Sequence, residues 1–355
     1  MPNKTCSVLL LFLIASTFLF CSCSQKVPHS SDISTGIARD SALVENDKIN
    51  VPDTADTTET TESPHNQETD TDSTVSHPDP GAIDWHFENG KYVYEIGPRD
   101  ESGLQTIDEM QSTPKTPYED QPDDWYFGKT SYDETTGTVT YVWDRSQATI
   151  DSVHKYNGIY RGDETKKTAY ITFDCGYEYG TTSQLLDILK EKQCPAIFFP
   201  TGYYVQTQHD LLARMLDEGH LIGNHTVNHL RATDLSVDEF LEEVNGLEKL
   251  FLEQFPDGPK MRYYRPPSGT CNEWVLKLAD KMGYKTVLWS FAYYDYDTAN
   301  QPTPQEALQK AKDALHPGIV YLLHAESTAN VGMLGDLIDW IRSQGYEILP
   351  VCAIE

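Results

Sequence analysis

The chain is expected to adopt an α/β fold, a set of parallel strands covered by helices, and three features of its second half predict this. From Thr168 onward, short apolar runs alternate with amphipathic segments of helical period, the pattern of repeated βα units. The helical segments carry their own limits: Gly219, Gly283 and Gly345 close three of them, and Ser236 with Glu239 makes a capping box for a fourth. Finally, a polar residue stands just past successive apolar runs, at Asp174, His225, Arg265, Asp295 and His324. In a βα barrel that position is the C-terminal rim, where loops build the active site.

In chain order, residues 1–22 read as a secretory signal. A lysine at position 4 is followed by an apolar run over residues 6–20, too short for the roughly 20 residues that span a bilayer. The run closes on small Ser22 before Cys23, which resembles a bacterial lipobox with an imperfect Phe20 upstream. A lipid on Cys23 would anchor the chain outside the cytoplasm, with plain secretion as the alternative. Residues 23–84 are expected to be a disordered acidic tether. Between residues 24 and 80 there are 12 acids against 3 bases and almost no large apolar side chain to offset the entropy of ordering. That segment contributes much of the formal net charge of −28, which disfavours nucleic-acid binding.

Residues 85–159 mix Trp, Tyr and Thr with turn residues. The stretch YDETTGTVTYVWDR, with TTG between alternating apolar positions, predicts a hairpin in a strand-rich preamble whose function is not readable. The folded domain is expected over residues 160–355. Strands are predicted at TAYITF, AIFFP, HLIGN, MRYYRP, KTVLWSF, GIVYLLH and YEILPV, with helices at SQLLDILKEK, HDLLARMLDEG, VDEFLEEVNGLEKLFLEQF, NEWVLKLADKMG, PQEALQKAKDAL and MLGDLIDWIRSQG. Of the seven cysteines, Cys175, Cys194, Cys271 and Cys352 follow the signal and anchor region, and they show no paired spacing. Neither a disulfide framework nor a zinc ribbon is indicated, and the last three are expected to be buried and inert.

The rim residues assemble into a hydrolytic constellation. In HTVNH, His225 and His229 are four apart, so a helical turn would aim both imidazoles at one divalent metal. His209, His220 and His316 stand alone and are assigned to surface or core. A carboxylate at the end of a buried strand needs a cation, a metal or a donor, and Arg265 in RPPSG can hold Asp174 in its basic form. His324, oriented by Asp295, makes a proton donor near neutral pH. Together these groups indicate metal-assisted hydrolysis.

The motifs TFDCGYE, HTVNH, RPPSG, WSFAYYD and LLH, in this order, resemble those of the NodB-type polysaccharide deacetylases, carbohydrate esterase family 4. IGNHTVNH, YYRPPSG and TVLWSFAYYD are most similar to its delta-lactam-forming branch, which deacetylates N-acetylmuramic acid in peptidoglycan. The resemblance implies a distorted (β/α) barrel with fewer than eight strands. It also implies Asp174 as general base, Arg265 as its partner, His324 as general acid oriented by Asp295, and His225 and His229 as ligands of a divalent metal, expected to be zinc. The substrate it implies is a peptidoglycan glycan strand, met by a monomer. Deacetylation of N-acetylglucosamine or chitin-like oligomers is the alternative within the class, and an inactive glycan-binding lipoprotein the alternative outside it.

One position departs from the family. Its third metal ligand is an Asp where this chain has Cys175, and the muramic acid branch commonly has Asn there. As a nucleophile Cys175 would need its own base, and Asp174 is too weak for a thiol of pKa about 8.5. It is either a thiolate ligand beside His225 and His229 or a neutral filler.

Overall fold

The computed structural model describes residues 84–95, 99, 125, 129–133, 138–142 and 147–354. The expected signal, the Cys23 anchor and most of the acidic tether lie outside the described residues. Among the described residues, no helix is long and apolar enough to cross a membrane.

The preamble contributes two antiparallel hairpins, β1 (Asp84–Glu88) with β2 (Lys91–Glu95) and β3 (Lys129–Asp133) with β4 (Thr138–Val142). The second is the hairpin read from TTG. The preamble is not all strand, because α1 (Gln147–Lys155) follows, with Thr149, Ile150 and Val153 buried. Those three buried positions follow helical spacing.

The domain is a ring of parallel strands. The order β10 (Ile319–His324), β5 (Thr168–Cys175), β6 (Ile197–Pro200), β7 (Leu221–Ile222) forms its continuous wall, and β11 (Glu347–Ile348) pairs the start of β5. A second pair, β8 (Tyr263–Tyr264) with β9 (Lys285–Thr286), completes the circuit through single bridges: Asn224 to Tyr264 joins it to the β7 side, and Phe291 to Tyr321 joins the segment after β9 to β10. The ring is thus a distorted barrel of fewer than eight strands. β5 is buried along its whole length, as a strand with neighbours on both edges and helices outside must be.

Helices α2 (Thr182–Glu191), α3 (Gly202–Thr207), α4 (His209–Asp217), α5 (Val237–Gln254), α6 (Glu273–Lys281), α7 (Pro304–Asp313) and α8 (Thr328–Ser343) are interleaved with the strands. The Ser236–Glu239 capping box is formed at α5, and Thr303 with Glu306 forms another at α7. Gly219, Gly283 and Gly345 all adopt positive φ, as helix-ending glycines do. Helix α3 was not legible: six residues rich in tyrosine carry no helical period, and only the Thr201 hydroxyl accepting from the Tyr204 amide marks its start. Cys194, Cys271 and Cys352 are buried and form no disulfide.

The preamble also reaches the domain's interior. Trp125 donates its indole N–H to the Trp289 carbonyl at 2.8 Å, and its amide bonds the Gly269 carbonyl at 2.6 Å. Gly269 of RPPSG has φ +65°, and a Cβ there would meet Trp289 at 2.7 Å and the Trp125 carbonyl at 2.9 Å. Only glycine fits both the turn and the packing.

Candidate active site

Parallel register brings the first two functional side chains together. His324 at the end of β10 is the direct neighbour of Asp174 on β5, and the Ala325 amide bonds the Asp174 carbonyl at 3.0 Å. Arg265 follows β8 and lies wholly buried, crossing toward β5. Its Nε donates to the Val287 carbonyl at 2.9 Å, its Nη2 to the Leu288 carbonyl at 3.2 Å and its Nη1 to Asp174 Oδ1 at 2.7 Å. The guanidinium also sits over the Phe199 ring at 4.3 Å. Burial alone would raise the Asp174 carboxyl, but Arg265, then His225 and His324, overcome it and hold the group below its ordinary range. It is an anion at neutral pH.

His225 and His229 follow β7, with ring centroids 4.8 Å apart. The turn that joins them is not helical, which corrects the sequence expectation. Thr226 has φ 66° and His229 φ 56°, and the turn is fixed by the Thr226 amide on Asn224 Oδ1 at 3.0 Å and the His229 amide on the Thr226 hydroxyl at 3.1 Å. Local side-chain bonds have displaced a helical turn. Gly202 makes room for this turn, since a Cβ there would meet the Val227 carbonyl oxygen at 2.7 Å. His225 Nδ1 lies 2.9 Å from the Arg265 carbonyl, so the proton belongs on Nδ1. Nε2 is left as a lone-pair donor, 3.4 Å from Asp174 Oδ2. Burial pulls the His225 pKa down to about 4 and lowers that of His229, so both are neutral imidazoles suited to a metal.

On the other flank, His324 Nδ1 meets Asp295 Oδ1 at 2.7 Å, and the His324 amide donates to Asp295 Oδ2 at 2.8 Å. Burial would lower this imidazole, but Asp295, joined by Asp174 and Glu326, outweighs it and pushes it up to about 9. His324 is a protonated acid at neutral pH, with Nε2 left for a substrate.

A polysaccharide deacetylase family model matches residues 161–287. The chain is 39% identical over 194 residues to the peptidoglycan-N-acetylmuramic acid deacetylase PdaA of Bacillus subtilis, a match covering 55% of this chain and 73% of that protein. The chain belongs to the polysaccharide deacetylase family. This deacetylase is also 37% identical over 189 residues to a peptidoglycan-N-acetylglucosamine deacetylase of Bacillus cereus, covering 52% of this chain and 87% of the relative. The solved structure of Bacillus subtilis PdaA, a family 4 carbohydrate esterase, superposes with a TM-score of 0.60 at 34% identity, covering 66% of this chain and 98% of that one.

Cys175 is where the deacetylase differs from the family's acidic ligand. It is wholly buried in the apolar core, and burial, then Glu326 and Asp174, push its thiol well above the ordinary range. Among the described residues, no three His, Cys, Asp or Glu side chains are gathered so as to hold a metal. His225 and His229 are in ring contact, with centroids 4.8 Å apart.

Sequence reasoning missed two members of the deacetylase site. Asn330 is fully buried, donates from Nδ2 to Asp295 Oδ2 at 2.7 Å and to the His324 carbonyl at 3.0 Å, and accepts the Tyr293 hydroxyl at 2.5 Å. Its signal was present, because a lone amide sits on the buried stripe of α8 with Met333, Leu334 and Leu337. Glu326 is buried with Oε2 unpartnered, and burial raises its carboxyl to about 7.

Proposed function

We propose that this domain hydrolyses the N-acetyl group of N-acetylmuramic acid residues in peptidoglycan, outside the cytoplasmic membrane and anchored by a lipid on Cys23. The observation that carries the reading is the paired placement of an ionised base, Asp174 on Arg265, and a protonated acid, His324 on Asp295, on adjacent strand ends. The likeness to PdaA favours muramic acid over glucosamine.

Asp174 takes a proton from the attacking water as its oxygen adds to the acetyl carbon. His324 Nε2 then gives a proton to the sugar nitrogen as the C–N bond breaks, leaving acetate and a free amine. Asp295 stabilises the imidazolium until that transfer, and Asn330 holds Asp295 in place. Arg265 positions Asp174 and keeps it anionic. Members of the family are metal-dependent, and the two neutral imidazoles of His225 and His229 suit zinc. When bound there, the cation supplies Lewis-acid polarisation of the acetyl carbonyl and of water.

The test is acetate and free amine released from purified peptidoglycan, comparing intact strands with strands stripped of peptide stems. Release from stripped strands is expected to be the faster, and no release with any divalent metal would refute the reading. A second expectation concerns Cys175. The buried neutral thiol acts as a filler, so Cys175→Asn retains zinc affinity and activity. A zinc titration showing a loss of tenfold or more would make the thiolate a ligand.

A further inference from the structure

A cavity of about 770 Å³ opens at the end of the barrel away from the candidate catalytic groups. Asp174, His225, Arg265 and His324 stand at or past the C-terminal ends of their strands, whereas this cavity gathers residues at the N-terminal ends of β7 and β8 together with strand β2 of the first hairpin. The two ends of β7 therefore serve different places. His220, just before the strand, borders the cavity, and His225, just after it, faces Asp174. Strand β2 is seated closely on this end of the barrel, since a Cβ on Gly219 would collide with the Tyr92 carbonyl oxygen. Tyr92, Val93, Leu216, Ile222 and Phe255 make the walls largely apolar, and the volume is that of a pocket for a small organic molecule.

Two polar side chains in these walls have no hydrogen-bond partner in the protein. They are His220, at both ring nitrogens, and Tyr94, at its hydroxyl. His220 is only 6% exposed, and its ring stands edge-on to Phe198 with centroids 5.3 Å apart. Buried polar groups are nearly always satisfied in a native fold, and the cavity is the side from which a partner can reach these two. Burial pulls the His220 pKa down to about 3, so at neutral pH the ring is uncharged, with one N–H donor and one lone pair. Charge at the cavity is one-sided: Lys91, Lys260 and Arg262 line it against Asp257, in a chain whose formal net charge is −28. A cleft lined by one sign of charge with apolar walls concentrates ligands of the opposite sign.

We infer that this cavity is a binding site, separate from the deacetylase centre, for a small amphipathic carboxylate whose apolar body lies against Tyr92 and Phe255 and whose oxygens accept from His220 and the Tyr94 hydroxyl. The two oxygens of a carboxylate match two neutral donors, and the three bases balance its charge. An inorganic anion would satisfy the donors but leave the apolar walls in water. Such a ligand is independent of the glycan substrate proposed above.

Calorimetry on the full chain tests this with 3-phenylpropionate as probe and 3-phenylpropionamide as its neutral counterpart. A chelator is present throughout, so that no metal at His225 and His229 takes the carboxylate. One site per chain is expected, with a dissociation constant below about 1 mM for the carboxylate and an affinity about tenfold weaker for the amide. Tyr94→Phe and His220→Phe each remove a donor and are expected to weaken carboxylate binding about tenfold. Lys91→Glu, an exposed change at the same cavity, is expected to weaken it in the same direction and keeps the comparison open should a buried variant not fold. Absence of saturable binding overturns the inference. So does equal affinity for the amide, which would mean that charge is not read, or an affinity unchanged in the folded variants, which would place the probe elsewhere on the protein.

Discussion

Asp174→Asn is expected to lower turnover on peptidoglycan by about 10² to 10⁴ at saturating metal, the usual cost of losing a general base. The amide keeps the shape of the carboxylate, and its oxygen still accepts from Arg265 Nη1, while the Val287 and Leu288 carbonyls hold the rest of the guanidinium. The fold should persist, read as a cooperative thermal melt. Asp174→Ala removes that acceptor and leaves a wholly buried cation facing a gap, a change that costs about 3–5 kcal/mol in comparable buried pairs. The two variants therefore separate chemistry from stability. Both should be inactive, but only the alanine variant should melt much earlier. The acid limb of the wild-type pH profile carries the same information: because the Asp174 pKa is held down, activity falls only as pH drops through that lowered value. Wild-type turnover in Asp174→Asn would place the base elsewhere.

The proposed catalytic residues were legible because each interrupts an apolar run where a parallel strand ends. Asp174, Arg265 and His324 are the first polar groups after five or more mostly apolar residues or a conspicuous aromatic pair, and a buried strand tolerates such groups only when they are paired. The path of the barrel was less legible. HLIGN, MRYYRP and YEILPV read as strands, yet β7, β8 and β11 keep only two residues each in ladder pairing, because the ring closes through single bridges that hydropathy does not encode. The approach of His225 to His229 was anticipated for the wrong reason. Spacing of four fits a helical turn, but left-handed backbone at Thr226 and His229 with a side-chain bond from Asn224 achieves the contact, and none of these follows from periodicity. Asn330 was hidden differently: the partner that makes it meaningful, Asp295, is 35 positions away in sequence.

The flank built from that long-range pair makes the other large effect. His324→Ala should lower turnover by about 10² to 10⁴ without altering zinc affinity, since in the proposed mechanism His324 serves the leaving nitrogen and not the metal. The sign of its pH dependence follows from the pair. Asp295 pushes the His324 pKa up to about 9, so the donor proton is present below that pH and is lost as pH rises through it. The stability contributed by the ion pair has the same course, fully present below the ordinary imidazole value of about 6.5 and gone once pH passes the folded one. Asp295→Asn removes the strongest raising influence and leaves burial opposed only by Asp174 and Glu326, so the imidazole pKa falls. The alkaline limb of the turnover profile should accordingly move from near pH 9 to lower pH. Asn330→Leu leaves the Asp295 charge in place but removes one of its donors, and should reduce turnover with a much smaller shift of the limb. Turnover measured across the neutral and alkaline range for the three proteins decides the matter. A limb that stays in place in Asp295→Asn would mean that His324 is not the acid whose proton the reaction uses.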